Sequence, residues 1–388
     1  MKQKSLLLSL FLTGILLSTY AEIKLPAFFS SEMVLQQQTT AKIWGKADPN
    51  KKVTLFTSWN LKTYKTTADS NGNWALSFVT TKAGGPYSMV ISDGKALTLS
   101  NILLGEVWLC SGQSNMEMPV KGFPGQPTEG SNMDILRSSN SQIRLFTVKK
   151  EAKVDPQTDV TGRWEEAMPI SVRDFSATAY YFGRLLQETL KVPVGLVASS
   201  WGGSSIEAWM TKEMLTNFPE AVIPKTNEDI KTPNQTPTVL YQAMIHPLVG
   251  MPIKGVIWYQ GESNRNRYQS YAPMFKSMTE GWRNAWNQKD TIPFYFCQIA
   301  PFEYNDGANS ALLREAQSIA AKAPHTGMAV LMDVGEKSCI HPAKKKEAGE
   351  RLALLALNKT YRNTGITCES PAFKDLEFKD GEIIVNFD

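Results

Sequence analysis

The chain has 388 residues, and its 41 lysine and arginine residues nearly balance 37 aspartate and glutamate residues, for a formal charge of +4. This balance, without a basic stripe interleaved with aromatic residues, argues against a nucleic-acid-binding protein. Four cysteines in so long a chain exclude a disulfide-rich scaffold, and no cysteine or histidine spacing is typical of a metal site, so we expect no metal and no organic cofactor.

Residues 1–21 have the pattern of a secretory signal peptide. Lys2 and Lys4 precede an apolar segment from Leu6 to Leu17, and small residues lie near Ala21. That segment is too short to span a bilayer comfortably, and no later segment is apolar for long enough to do so. We expect cleavage after Ala21 and export to the periplasm or the extracellular space.

Residues 22–101 alternate short β-rich segments with turn sequences, which predicts a small β-sandwich domain. The segment 69–73, Asp-Ser-Asn-Gly-Asn, predicts a hairpin, because Asn-Gly supplies the positive φ angles that tight hairpins need. The predicted strands are 41–44, 52–56, 74–78 and 87–91.

After residue 101 the pattern changes, and apolar segments of strand length alternate with helical segments. Strands alternating with helices predict a parallel sheet covered on both faces. A closed barrel needs eight strand–helix units, so the five found here favour an open, doubly wound α/β domain over residues 102–362. The predicted strands are 107–111, 194–200, 253–260, 293–299 and 327–333, and the predicted helices are 175–190, 270–287, 310–323 and 342–358.

Residues 363–388 predict the start of a further β region, with β-rich segments at 376–378 and 383–387 around a Lys-Asp-Gly turn. An isolated terminal hairpin is only marginally stable. We therefore expect either that it packs on the sandwich or that the chain is truncated at Asp388.

The four cysteines divide into two pairs. Cys110 and Cys297 lie in apolar strand segments and are expected to be buried core residues. Cys339 and Cys368 could form a disulfide in an oxidising compartment, and the sequence leaves this open.

Polar or glycine-rich segments follow four of the five predicted strands. Because the carboxyl ends of parallel strands share one edge of the sheet, we expect a site there. The first segment exposes Ser114 above Gly112, as a nucleophile requires, although Gly and Ser at a strand end are also typical of a simple turn. The four segments are 112–116 (Gly-Gln-Ser-Asn-Met), 199–206 (Ser-Ser-Trp-Gly-Gly-Ser-Ser-Ile), 258–264 (Trp-Tyr-Gln-Gly-Glu-Ser-Asn) and 338–342 (Ser-Cys-Ile-His-Pro).

The chain has three histidines, which limits the choice of a general base. His325 lies in a helix-to-strand connection at the opposite edge of the sheet. His246 comes well before the third strand, and we interpret it as structural. His341 follows the fifth strand at the expected site, so it is the candidate base.

These four segments resemble, in order and spacing, the motifs of SGNH hydrolases of the sialate O-acetylesterase type. The resemblance extends from the sandwich through Leu357. It implies a flavodoxin-like three-layer α/β/α domain, a serine esterase mechanism and removal of O-acetyl groups from sugars. It also implies Ser114 as nucleophile and His341 as base. The implied oxyanion donors are the Ser114 N–H, an N–H of Gly202 or Gly203, and the Gln260 side chain.

The sequence departs from this family in one respect. SGNH enzymes commonly carry an aspartate two or three residues before the histidine, where this chain has Cys339 and Ser338. A backbone carbonyl can partly replace that carboxylate, so we expect a Ser-His dyad. Asp333 and Glu336 are nearby acids that could orient the histidine, but neither has the expected spacing.

The substrate is expected to be an O-acetylated sugar or glycan, and the oligomeric state is left open. Indole rings at this edge could stack on a sugar, although large aromatics are as often core residues, and an arginine could bind the carboxylate of sialic acid. The aromatic candidates are Trp201, Trp209 and Trp258, the arginines are Arg265 and Arg267, and Glu262 and Asn264 are further candidate substrate contacts.

Two alternatives remain open from the sequence. One is the same chemistry on acetylated xylan or another polysaccharide. The other is a carbohydrate-binding protein whose hydrolase site has decayed, which the missing aspartate favours. For an active enzyme, an ordinary histidine pKa of about 6.5 predicts that kcat/KM rises between roughly pH 6 and 7.

Overall fold

A computed structural model of the chain describes residues 22–288 and 292–387. The predicted signal peptide lies outside these residues. The protein is a mixed α/β structure with a large central sheet. Within the described ranges, no helix combines the length and apolar character needed to cross a membrane.

The N-terminal part consists of short strands, and all four predicted strands are confirmed. Strand β2 pairs antiparallel with β5, while β3 pairs antiparallel with β4 and β6. Burial alternates along β5, as expected for a strand with one face on a core. These strands are β1 (Val34–Gln36), β2 (Thr40–Lys46), β3 (Lys52–Thr57), β4 (Lys62–Thr67), β5 (Asn73–Val79), β6 (Gly84–Ser92) and β7 (Ala96–Gly112).

The predicted hairpin at residues 69–73 is wrong, although the turn itself is present. Asp69 accepts hydrogen bonds from the N–H groups of Asn71 and Asn73, both at 2.8 Å, and Gly72 has φ of 77°. The turn connects β4 to β5, which pair with different strands and not with each other. The Asn-Gly pattern identified the local geometry of the turn but not the pairing of the strands on either side of it.

The central sheet has the order β13-β12-β11-β7-β10-β8-β9, parallel except for the edge strand β9. All five predicted strands are confirmed. Two strands were missed because β8 is half polar, with the buried Arg144 paired to Glu32 and Glu166, so it has no continuous apolar run. The further strands are β8 (Asn140–Thr147), β9 (Trp164–Ala167), β10 (Val194–Ser200), β11 (Gly255–Tyr259), β12 (Phe294–Cys297) and β13 (Thr326–Ala329).

Helices cover both faces of this sheet. Alternate residues of β7 belong to different cores, with Val107 and Leu109 on one side and Trp108 and Cys110 on the other. Helices α5 and α6 pack on the first side, and α4 and α7 pack on the second. The four predicted helices are therefore confirmed. The helices are α1 (Ser114–Glu117), α2 (Ser131–Leu136), α3 (Pro169–Val172), α4 (Ala177–Leu190), α5 (Tyr268–Ala285), α6 (Asn309–Ala320) and α7 (Lys345–Leu355).

Strand β7 links the N-terminal strands to the central sheet. Its first half pairs with β6, and its second half lies between β10 and β11. The predicted domain boundary at residue 101 falls inside this one 17-residue strand. The strand ends at Gly112, so its position sets the position of the segment that follows.

The C-terminal hairpin is confirmed as β14 (Phe373–Lys379) paired antiparallel with β15 (Glu382–Phe387). Its side chains are largely exposed, with Phe378 at 78%. In the described part of the chain it does not pack on the N-terminal strands, so the first of the two alternatives is wrong. Cys110 and Cys297 are buried as predicted, while Cys339 and Cys368 are free thiols and do not pair.

Replacing Leu196 with alanine should destabilise the central sheet. Leu196 is fully buried in β10, and it lies so close to α4 that a Cβ on Gly183 would be 2.5 Å from its Cδ1. We expect Leu196→Ala to lower the free energy of unfolding by about 2–5 kcal/mol. Leu136→Ala, at a residue that is 67% exposed, should change it by less than about 0.5 kcal/mol. Urea unfolding of both variants checks this, and equal effects would contradict it.

Candidate active site

Ser114 lies at the carboxyl edge of the sheet, as predicted, and is half-buried. It is the first residue of α1, directly after the turn at Gly112 and Gln113. Gly112 has φ of 136°, and a Cβ there would lie 2.2 Å from the carbonyl oxygen of Tyr259. Only glycine fits this approach. The Gln113 N–H donates to the same oxygen at 2.9 Å, which fixes the turn on β11.

The turn after β10 packs directly on Ser114. The Trp201 N–H donates to the carbonyl oxygen of Gly112 at 3.0 Å. A Cβ on Gly202 would lie 3.3 Å from the Cβ of Ser114, and Gly203 has φ of 69°. The structure therefore brings Gly202 to Ser114, whereas a Cβ on Gly203 would lie 2.9 Å from Nδ2 of Asn234.

The N–H of Gly202 already has an acceptor. It donates to Oε2 of Glu117 at 2.5 Å, and Nζ of Lys150 lies 2.6 Å from Oε1 of the same carboxylate. Lys150 also lies 5.8 Å from the ring centroid of the half-buried Trp201. A substrate oxygen can reach the Gly202 N–H only after the Glu117 carboxylate moves. The sequence analysis did not identify Glu117 or Lys150.

His341 is half-buried, and its Nδ1 lies 2.6 Å from Oε1 of Gln126. The ring of Phe123 packs edge-on against the imidazole, with 5.1 Å between the ring centroids. Burial, followed by the nearby Lys345 ammonium, lowers the pKa of His341 to about 4, and Glu117 opposes this shift. The imidazole is therefore neutral over a wide acidic range.

The acids proposed to orient His341 have other partners. Asp333 forms two hydrogen bonds with Arg351, at 2.7 and 2.6 Å, and these lower its pKa to about 2. Glu336 accepts a hydrogen bond from the Ala343 N–H at 2.6 Å. Among the described residues neither acid hydrogen-bonds to His341, so both assignments are corrected in favour of Gln126. Nothing in the sequence pointed to Gln126, which lies 215 positions away.

The side chain of Gln260, a predicted oxyanion donor, is hydrogen-bonded within the protein. It is fully buried, and its Nε2 donates to the Ser204 carbonyl at 3.0 Å and to Oδ1 of Asn264 at 2.7 Å. Its Oε1 accepts from the Tyr271 hydroxyl at 3.1 Å. Both amide hydrogens are thus used inside the protein. In this arrangement Gln260 supports the loop after β11 and has no free donor for an oxyanion.

Asn264 is also a buried supporting residue. Its Oδ1 accepts from the Ile206 N–H at 3.0 Å, and its Nδ2 donates to Glu207 at 3.0 Å. Glu262 is buried and accepts from Nδ2 of Asn115 at 2.6 Å, and burial raises its pKa. Both side chains are buried and hydrogen-bonded within the protein.

The candidate arginines are already paired. Nε of Arg265 donates to Asp306 at 2.6 Å, and the Arg265 guanidinium lies 3.9 Å from the ring centroid of Tyr304. Nε of Arg267 donates to Glu207 at 3.1 Å.

The other aromatic and histidine candidates are structural. Trp209 and Trp258 are fully buried and pack at 88° to each other, so they are core residues. His246 has Nδ1 2.9 Å from the Gln157 carbonyl oxygen and lines a different cleft. His325 precedes β13 at the opposite edge, as predicted.

Comparison with known proteins agrees with this architecture. A family model described as carbohydrate esterase, sialic acid-specific acetylesterase, matches residues 104–358. The sialate O-acetylesterases of Mus musculus and Homo sapiens are each 30% identical to this chain. The mouse alignment covers 93% of this chain and 77% of the mouse protein, and the human alignment covers 90% and 73%. A carbohydrate acetylesterase structure from Xanthomonas citri is 36% identical, with a TM-score of 0.86, covering 95% of this chain and 82% of that one.

The fold and the strand-end motifs thus define a carbohydrate esterase. The chain belongs to the sialic acid-specific acetylesterase family, as its motifs predicted. These relationships support a hydrolase that removes O-acetyl groups from carbohydrates.

Replacing Gln126 with glutamate should raise the pKa of His341. A carboxylate at Nδ1 favours the imidazolium, typically by roughly 1–3 pKa units. Histidine NMR titration measures this, with the His341 resonance assigned by its loss in His341→Ala. Gln157→Glu adds the same charge at a residue whose main-chain carbonyl contacts His246, and it should leave His341 unchanged. If His341 titrates alike in Gln126→Glu and in the wild type, Gln126 is not its partner.

Proposed function

We propose that this chain is a serine-dependent carbohydrate O-acetylesterase with Ser114 as nucleophile and His341 as base. The observation that carries the proposal is the assembly at one sheet edge of three loops. Gly202 packs on Ser114, and Nδ2 of Asn115, the next residue, donates to the Ile340 carbonyl at 3.1 Å. The nucleophile and the residue before the base are therefore held together.

The proposed reaction proceeds through an acyl-enzyme. His341 takes the Ser114 proton as Oγ attacks the acetyl carbonyl, and a tetrahedral oxyanion forms. The C–O bond to the sugar then breaks, and His341 returns the proton to the sugar oxygen. Water attacks the acetyl-serine by the same sequence, which releases acetate and restores the serine hydroxyl.

Backbone N–H groups are the proposed oxyanion donors. Ser114 opens α1, and the first N–H groups of a helix have no intrahelical acceptor. The second donor is the N–H of Gly202 or Gly203. We infer that the substrate oxyanion takes the place of the Glu117 carboxylate at Gly202, while Lys150 retains its pairing with that carboxylate. Gln260 is given a supporting role instead.

Gln126 is the proposed orienting group for His341. An Nδ1–H donating to Oε1 of Gln126 leaves the Nε2 lone pair free to accept the Ser114 proton. A neutral amide fixes this tautomer but adds no negative charge to stabilise the imidazolium. The catalytic unit is therefore a Ser-His dyad held by an amide.

O-acetylated sialic acid is the first proposed substrate, since the matching family model and the mouse and human relatives carry that specificity in their names. A neutral acetylated polysaccharide is the second. It is favoured by the pairing of Arg265 with Asp306 and of Arg267 with Glu207, because the charge of each arginine is already matched by a carboxylate of the protein.

The domain architecture of the chain and the compartment in which it acts are proposed as well. We propose a flavodoxin-like SGNH hydrolase domain preceded by a β-sandwich, supported by the parallel order of the sheet and the two antiparallel strand groups. The sequence pattern of residues 1–21 supports export through a signal peptide, to the periplasm or outside the cell.

Ser114→Ala should abolish acetate release. Loss of a serine nucleophile typically costs roughly 10⁶-fold in kcat. Acetate is measured with O-acetyl sialic acids and with acetylated xylan, which also decides between the two substrate classes. Ser263→Ala, a half-buried serine at the same edge, is the matched control and should retain activity. Substantial turnover by Ser114→Ala would place the nucleophile elsewhere.

The acidic limb of kcat/KM should lie near pH 4 and not between pH 6 and 7. The base must be neutral, and the lowered pKa of His341, about 4, keeps it neutral down to that pH. Activity should thus be nearly constant from pH 7 to 5 and fall below. Circular dichroism at each pH excludes acid unfolding. A limb centred near pH 6.5 would show that His341 titrates with its ordinary pKa.

A further inference from the structure

A buried polar cluster lies between the Ser114 loop and the His341 loop. It consists of Asn115, Glu262 and Lys345, which are 1%, 4% and 1% exposed. They come from α1, from the segment after β11 and from the start of α7. The reaction proposed above assigns none of them a role.

The Asn115 amide connects all three segments. Its Nδ2 donates to Oε1 of Glu262 at 2.6 Å and to the Ile340 carbonyl at 3.1 Å, and its Oδ1 accepts from Nζ of Lys345 at 2.8 Å. Both amide hydrogens and the amide oxygen are therefore used. This set of partners allows one orientation of the amide.

Lys345 completes the connection to the base. Its Nζ also donates to the carbonyl oxygen of Pro342 at 2.7 Å. Ile340 and Pro342 are the residues on either side of His341. The carbonyl groups that flank the base are thus both bonded to a cluster that begins one residue after the nucleophile.

Burying this polar cluster between the two loops costs free energy. Lys345 and Glu262 are charged groups removed from water, and within residues 22–288 and 292–387 the buried Oε2 of Glu262 has no hydrogen-bond partner. Buried charged groups often stabilise a fold no better than apolar side chains of similar volume. Directional hydrogen bonds fix the position of a group, and apolar packing does not.

We propose that Lys345 is a positioning residue, which holds His341 in register with Ser114 through Asn115 and the carbonyl groups of Ile340 and Pro342. The inference rests on the proposed roles of Ser114 and His341. It adds a requirement that the serine and histidine motifs do not contain, a buried cation on α7.

The pKa of His341 provides an independent measure of the contact between Lys345 and the His341 loop. Besides burial, the Lys345 charge lowers the pKa of His341, and Glu117 on α1 raises it. Burial lowers the pKa of Lys345 itself to about 7, against the opposing effects of Glu262, Cys339, Cys297 and Glu336. Removing the Lys345 charge should therefore raise the pKa of His341.

The test compares Lys345→Met with Lys346→Met, which removes the neighbouring exposed charge on the same helix. For Lys345→Met we expect kcat to fall about 10²-fold, as for a reacting group displaced by about 1 Å, with KM nearly unchanged. In the NMR titration the His341 midpoint should rise by roughly one pH unit. Lys346→Met should change neither quantity.

A double variant guards against misfolding. Lys345→Met leaves the Glu262 carboxylate buried without the nearby Lys345 charge, which is itself destabilising. Lys345→Met/Glu262→Gln removes both charges while keeping an acceptor for Asn115. We expect the double variant to regain the wild-type melting temperature but to keep the kcat defect. Recovery of kcat together with stability would overturn the proposal, because Lys345 would then serve folding alone.

The two proposals fail in different ways. Absence of acetate release by the wild-type enzyme would refute the esterase function. An unchanged His341 midpoint in Lys345→Met, with wild-type kcat, would refute the positioning role and leave the esterase function intact.

Discussion

The sheet edge that carries the candidate site depends on the close approach of Gly112 to the carbonyl oxygen of Tyr259. A side chain cannot fit between them, since a Cβ would lie 2.2 Å from that oxygen. The turn made there lets Gln113 bond to β11 through its backbone and accept from the N–H groups of Gly261 and Ser263 through its side chain. The Trp201 turn bonds to the Gly112 carbonyl. Three loops are thereby assembled around one glycine.

Amide side chains make many of the hydrogen bonds that hold this site together. Gln126 contacts His341, the proposed base, Asn115 joins the Ser114 and His341 loops, and Gln260 supports the loop after β11. An amide offers donors and acceptors without a charge that must be balanced in a buried place. Burial acts on the ionisable groups beside these amides, lowering the pKa of His341 and Lys345 and raising that of Glu262.

The sequence alone supports much of this description. Apolar runs and helical periodicity located the five strands and four helices because burial on a sheet imposes those patterns locally. The position of Ser114 after the first strand and of His341 after the last followed from the rule that parallel strands end at one edge. The strands that were missed are β8, where Arg144 interrupts the apolar pattern, and β9, which carries one of its counter-charges, Glu166.

The sequence by itself determined which residues lie at the carboxyl edge of the sheet. It could do so because strand order along the chain and alternating burial are properties of short segments. Which of those residues bond to one another was decided only in three dimensions. Gln126 reaches His341 across 215 positions, and Lys345 reaches Asn115 across 230. Three residues with suitable chemistry have other partners in the folded protein. Asp333 bonds to Arg351, Glu336 to the Ala343 N–H, and Gln260 to the Ser204 carbonyl. Hydrogen-bond partners are selected by distance and direction after folding, and no local pattern of residues encodes that choice.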